Sequence, residues 1–275
     1  MSKLTTHPAS EPARTELSDF AELTQARIAL GRAGSSTPTA HEQRFQLDHA
    51  RARAAVWSEV DEDALLAHLD PLGLPIITVE SEAVDRADYV RRPDKGRLLA
   101  PASRQALADR SGRFDVVIII ADGLSATAIN LNAAALVADL VRRLEAAGLL
   151  LAPIVVARRA RVALGDAIGE TLGARVTITL IGERPGLSAA DSLGAYLTYA
   201  PISGTPDSSR NCVSNIREHG MPLPRAAEAI AALVERIFNA RLSGVKLVES
   251  RLSSEEPTKI ASVPMASPGD EGTDT

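Results

Sequence analysis

Residues Phe114 to Ser125 read FDVVIIIADGLS, and this stretch decides the fold. Val116 to Ile120 form an unbroken β-branched run with no polar face, as expected for a strand of a parallel sheet covered by helices on both sides. Asp122-Gly123 turns the chain, and Ser125 is a residue type that caps helices. Ile129, Ala133, Leu136, Leu140 and Leu144 then recur at helical spacing up to a stop at Gly148. Strand followed by capped helix is half of a β-α-β unit.

Downstream, the same alternation predicts a strand over 150–157, a helix over 163–173 ending near Gly173, and a strand over 175–181. The next stretch, about 182–216, is rich in glycine, proline and serine and reads as two polar loops. Ala226, Ile230, Leu233 and Ile237 mark a last helix, entered through Pro222 and Pro224. Upstream, from Leu17 to Arg110, the pattern is helical with short breaks. Leu47, Ala50, Ala54 and Trp57 should share one face of a helix over 44–60. The predicted class is therefore α/β: a Rossmann-like parallel sheet domain over 113–248, preceded by an N-terminal helical region over 15–112. Residues 1–14 and 249–275 have the composition of disordered ends, with little apolar surface to offset the entropy of ordering.

Aromatic content is 3% and formal net charge is −5, with Lys and Arg dispersed among Asp and Glu. No basic stripe marks a nucleic-acid surface. No apolar run is long enough to span a bilayer and the start has no apolar leader core, so neither membrane nor secretion is expected. One cysteine, Cys212, forms no internal disulfide, which fits a reducing cytoplasm.

Three predicted strand exits carry polar clusters: Asp122-Gly123-Leu124-Ser125, Arg158-Arg159-Ala160-Arg161 and Gly182-Glu183-Arg184-Pro185-Gly186. In open parallel sheets such exits line the ligand crevice. Neither G-x-G-x-x-G nor G-x-x-x-x-G-K-[ST] follows any predicted strand, which disfavours NAD and nucleoside triphosphates. No G-x-S-x-G elbow is present either. Glu183 can be a general base, a hydrogen-bond acceptor for a ligand, or half of a structural ion pair. Cys212 can be a nucleophile, but a small residue buried in a loop, with its backbone lining a ligand surface, is the plainer reading. His49 and His68 read as helix-face histidines, and Arg91-Arg92-Pro93 as a solvated turn or a partner contact.

Several longer stretches, in this order, resemble the small subunit of ethanolamine ammonia-lyase. They are Ala26 to Gly34 (ARIALGRAG), Phe45 to Arg51 (FQLDHAR), Tyr89 to Asp94 (YVRRPD), Ala121 to Ser125, Arg161 to Asp166 (RVALGD), Ile181 to Leu187 (IGERPGL) with Asp191-Ser192-Leu193, Asn211 to Ile216 (NCVSNI) and Ser243 to Leu247 (SGVKL). Such an ordered series is far more specific than any single member. The resemblance implies an adenosylcobalamin-dependent lyase that converts ethanolamine to acetaldehyde and ammonia by radical chemistry. It implies a large TIM-barrel subunit that binds ethanolamine, joined in a hetero-oligomer by this chain, which closes over base-on cobalamin at the barrel mouth. Family cofactor contacts fall on Val162, Glu183 and Cys212; no catalytic residue and no metal ligand falls on this chain. The D-x-H-x-x-G motif of base-off cobalamin proteins is absent, in keeping with base-on binding. Some family members work inside bacterial microcompartments. A binding module without turnover and a Rossmann-type oxidoreductase are the competing readings.

Overall fold

A computed structural model of the chain describes residues 24, 26–28 and 30–254. The expectation for residues 1–14, and that for the tail beyond Ser254, lie outside the described residues. After α1 (Thr39–Trp57) and α2 (Glu62–Leu69), the chain alternates: β1 (Ile76–Glu80), α3 (Arg86–Arg91), α4 (Pro101–Ala108), β2 (Phe114–Ala121), α5 (Ala126–Ala146), β3 (Ile154–Arg158), α6 (Leu164–Leu172) and β4 (Ala174–Gly182). It continues with β5 (Leu193–Tyr199), β6 (Arg210–Ile216), α7 (Leu223–Ala240) and α8 (Val245–Ser254).

The six strands form one sheet in the order β1-β3-β2-β4-β5-β6. The strand that decides the fold lies where its composition requires: β2 is flanked by β3 and β4, both parallel to it, and Val116 to Ala121 are all buried. One face packs Val116, Ile118, Ile120, Val176, Ile178 and Leu180 against the apolar stripes of α5 and α7. The other packs Val117, Ile119, Ala121 and Ile181 against Leu107 of α4 and Leu164, Ile168 and Leu172 of α6. Each such side chain removed from water contributes about 1.5–3 kcal/mol, so these two layers dominate the stability.

The Ser125 hydroxyl oxygen accepts from Ala128 N at 3.1 Å, capping α5 as its residue type predicts. Gly173 ends α6 in the left-handed conformation, φ 76°. Pro153, with no N–H to offer a ladder, delays β3 to Ile154, later than the expected 150.

Five elements differ from the sequence reading. The stretch read as helical contributes β1, whose residues Ile76 to Glu80 pair in parallel with β3; five residues amid Pro and Gly are too short to show a period. The glycine-rich stretch after β4 is not all loop. It supplies β5 and β6, both antiparallel, so the sheet is mostly rather than wholly parallel. β6 is a short, polar edge strand, and the apolar run of β5 is broken by Gly194 and flanked by turn residues, so both read as loop in isolation. Finally, α1 forms as a helix, but Leu47, Ala50, Ala54 and Trp57 are all exposed, and Ala55 is its one buried residue. The last helix, α8, runs past Glu249, where the sequence places the tail.

Candidate functional site

The three polar strand exits do come together, because β3, β2 and β4 are neighbours in the sheet. Ala160 N donates to Asp122 Oδ1 at 2.9 Å, and Leu124 N to Gly182 O at 2.9 Å. The β2 and β4 exits cross so closely that a Cβ on Gly123 would lie 2.2 Å from Gly182 O, and one on Gly182 would lie 2.1 Å from Ser125 O. The β2–β3 crevice is filled by protein groups. Arg86 Nη1 reaches Asp122 Oδ2 at 3.1 Å and Gly123 O at 2.9 Å, while its Nε donates to Val56 O. Burial raises the Asp122 pKa, opposed by the Ala160 N–H and by Arg86. Beside it lies a cleft of about 330 Å³ over Leu65, Ile120 and Val156.

The opposite flank is different. On β5, Leu193, Ala195 and Leu197 point into the core shared with α5 and α7, so Gly194, Tyr196 and Thr198 occupy the other face. There α6 covers β2 and β4, while β6 forms the edge of the sheet. Tyr196 and Cys212 are register partners across β5 and β6. Glu183, the first residue after β4, lies against the same group.

Glu183 is held as an acceptor. Its Oε2 receives the Ser192 hydroxyl and the N–H of Asn215, the latter at 3.3 Å, and its own N–H donates to Ser192 O. The Asn215 N–H reaches it because a register shift in the β5–β6 pairing coincides with a left-handed Asn215, φ 57°. No ion pair joins Glu183 to Arg184 among the described residues, and the carboxylate acts as an acceptor toward Ser192 and Asn215 of its own chain. Gly194 leaves the space the carboxylate occupies: a Cβ there would meet Glu183 Oε1 at 2.9 Å and the Tyr196 ring at 3.2 Å.

Cys212 lies in the edge strand and is exposed, not buried in a loop as expected; its alternation along β6 sends it to the outer face. Burial of the sulfur against its neighbours raises the thiol pKa, the Tyr196 hydrogen bond lowers it, and the Glu183 charge raises it further. A thiol so held stays protonated near neutrality, which argues against the nucleophile reading. Burial likewise raises the Tyr196 pKa, with Cys212 and Glu183 adding to it. Val162 sits in the turn before α6, where its carbonyl accepts from Gly165 N at 3.0 Å, and it packs on the same core layer as Tyr196.

Glu183 and Cys212 thus meet at one residue that the sequence reading missed, Tyr196, while Val162 packs on the same core layer without a contact to that group. The signal was the alternation Leu193-Gly194-Ala195-Tyr196-Leu197, hidden by its glycine. Other candidates have structural explanations. Tyr89 is fully buried, donates to Ala160 O at 2.9 Å and carries Arg161 over its ring at 4.4 Å. Arg92 pairs with Asp94 in an exposed turn and holds that carboxyl at about 2. His49 stacks on Phe45, and His68 Nδ1 lies 2.6 Å from Ala64 O. Among the described residues no three His, Cys, Asp or Glu side chains gather as a metal site, and no helix is long and apolar enough to cross a membrane.

The ethanolamine ammonia-lyase light chain family model matches residues 14–248. A protein of Rhodopseudomonas palustris named ethanolamine ammonia-lyase small subunit is 50% identical over 242 residues, covering 88% of this chain and 93% of that relative. One of the same name from Bradyrhizobium diazoefficiens is 51% identical over 242 residues, covering 86% and 93%. Another from Azotobacter vinelandii is 48% identical over 229 residues, covering 82% and 85%.

Proposed function

The chain belongs to the ethanolamine ammonia-lyase light chain family, and we propose that it is the non-autonomous subunit of an adenosylcobalamin-dependent ammonia-lyase acting on ethanolamine. The observation that carries this reading is that Glu183 and Cys212, both in family-matched stretches, meet at Tyr196 beside Gly194, with Val162 on the same core layer; we take these four residues as one shelf for the cofactor. A corrin is a broad ring fringed with amide groups, and the shelf suits it. An apolar part, from Val162 and the Tyr196 ring, can take the ring edge, and the Glu183 carboxylate is an acceptor for amide N–H donors.

The division of labour follows from what the shelf lacks. Glu183 is tied by Ser192 and Asn215, and the Cys212 thiol stays protonated, so the shelf presents binding groups rather than a proton-transfer pair. In this reading adenosylcobalamin, bound base-on, supplies the radical, and a large TIM-barrel subunit binds ethanolamine. This chain's residues orient the corrin and keep water from its face. Release of acetaldehyde and ammonia would then occur in the cytoplasm or within a microcompartment.

The test is to measure acetaldehyde release with ethanolamine and adenosylcobalamin for this chain alone, for the large subunit alone and for the mixture. Turnover is expected only in the mixture. Turnover by this chain alone would overturn the two-subunit reading.

A further inference from the structure

Arg210 and Asp166 form an ion pair within the fold, with Nη1 to Oδ1 at 2.5 Å and side chains 3% and 1% exposed. Arg210 further donates to Thr198 Oγ1 at 3.3 Å, Thr205 O at 2.7 Å and Asp207 Oδ1 at 3.2 Å. Asp166 Oδ2 has no hydrogen-bond partner. A buried pair must recover the cost of desolvating two ions, and one with an unpaired carboxylate oxygen recovers it poorly. As a stabilising device it is inferior to two aliphatic side chains. What it does supply is a fixed distance.

The elements it joins are those that carry the cofactor shelf. Asp166 is in the first turn of α6, four residues after Val162; Arg210 opens β6, two residues before Cys212 and on the same strand face. Gly165, beside Asp166, sets α6 close on β4, since a Cβ there would lie 2.3 Å from Thr179 Oγ1. From that anchored helix the carboxylate reaches past Thr198 of β5 to the edge strand. An edge strand has one neighbour and frays more readily than a central one, and Arg210 binds β6 to the interior at its first residue.

We propose that Asp166 and Arg210 are positioning residues that hold Val162 and Cys212 at the separation the corrin requires, an inference that rests on the cofactor reading above. The experiment uses the full chain assembled with the large subunit. Affinity is read by spectral titration with cyanocobalamin, the rate of Cys212 alkylation by iodoacetamide is read in the free chain, and the KM for ethanolamine is read at saturating adenosylcobalamin. Asp166→Ala should lower cyanocobalamin affinity about ten- to a hundredfold, the range typical of outer-shell partners, and speed alkylation, while the ethanolamine KM holds. Asp166→Asn, which still offers Arg210 an acceptor, should retain most of the affinity. Should Asp166→Ala fail to fold, the double variant Asp166→Leu with Arg210→Met decides instead, because such swaps tend to preserve stability. A fall in affinity in that folded double variant supports the positioning role. Wild-type affinity in any folded variant lacking the pair overturns the inference and leaves the cofactor reading standing. Failure of the wild-type complex to bind cyanocobalamin overturns both.

Discussion

At the scale of single residues, Glu183 and Cys212 have distinct and testable places. Replacing Glu183 by alanine removes a charged acceptor whose bonds to Ser192 and Asn215 are local. The expected loss is about 1.5–3 kcal/mol of cofactor binding, or about ten- to a hundredfold in affinity, without unfolding. Unchanged cyanocobalamin affinity in the assembled enzyme would remove Glu183 from the shelf. Gly182 is a poor probe of the same loop, because its hydrogen faces Ser125 O and any side chain there displaces backbone. Cys212 supplies a pH-dependent measurement. Its thiol pKa lies above the ordinary value, so the reactive thiolate is depleted below that raised pKa and appears only as pH climbs through it. Iodoacetamide labelling of the free chain should therefore have a midpoint more alkaline than a free thiol, and bound cobalamin should suppress it. A midpoint at or below the ordinary value would contradict burial of the thiol as the dominant influence on it.

At the scale of elements, α6 is drawn onto the sheet by two glycines one turn apart. A Cβ on Gly165 would meet Thr179 Oγ1 at 2.3 Å, and one on Gly169 would meet Thr177 Cγ2 at 2.4 Å. Gly165→Ala should push the helix outward and cost on the order of 1–3 kcal/mol, as overpacking does. Thermal unfolding should reveal it, at about 2–4 °C per kcal/mol for a domain of this size. Adding Thr179→Ala, which vacates the contested space, should recover part of the loss; no recovery would mean the penalty lies elsewhere. How far such elements can be read from sequence depends on burial. β2 and the stripe of α5 were legible because both faces of the one and one face of the other are covered, which forces a clear apolar pattern. β1 was not, being five residues long. β5 and β6 were not, because Gly194, Asn211 and Ser214 answer to a bulge and an open face rather than to a core.

At the scale of the whole molecule, α8 is the last element among the described residues. Leu247 joins the core, and the helix continues to Ser254. Truncation after Ser254 should leave the unfolding temperature, assembly and cobalamin affinity unchanged. Truncation before Val245 should cost about 2–3 kcal/mol, from the lost burial of Leu247 and the space it leaves. Equal stability of the two forms would show that α8 contributes nothing to the core. The sequence by itself determined the α/β class, the central strands, the caps at Ser125 and Gly173, and the residues carrying the family likeness, since each depends on local periodicity, residue type or order along the chain. Only the tertiary structure decided that the last two strands run antiparallel and that Glu183 is bound as an acceptor. It alone paired Tyr196 with Cys212 across the last two strands and closed Asp166 on Arg210. The reason is physical: these relations join residues far apart along the chain, through strand pairing and shared burial that no local pattern records.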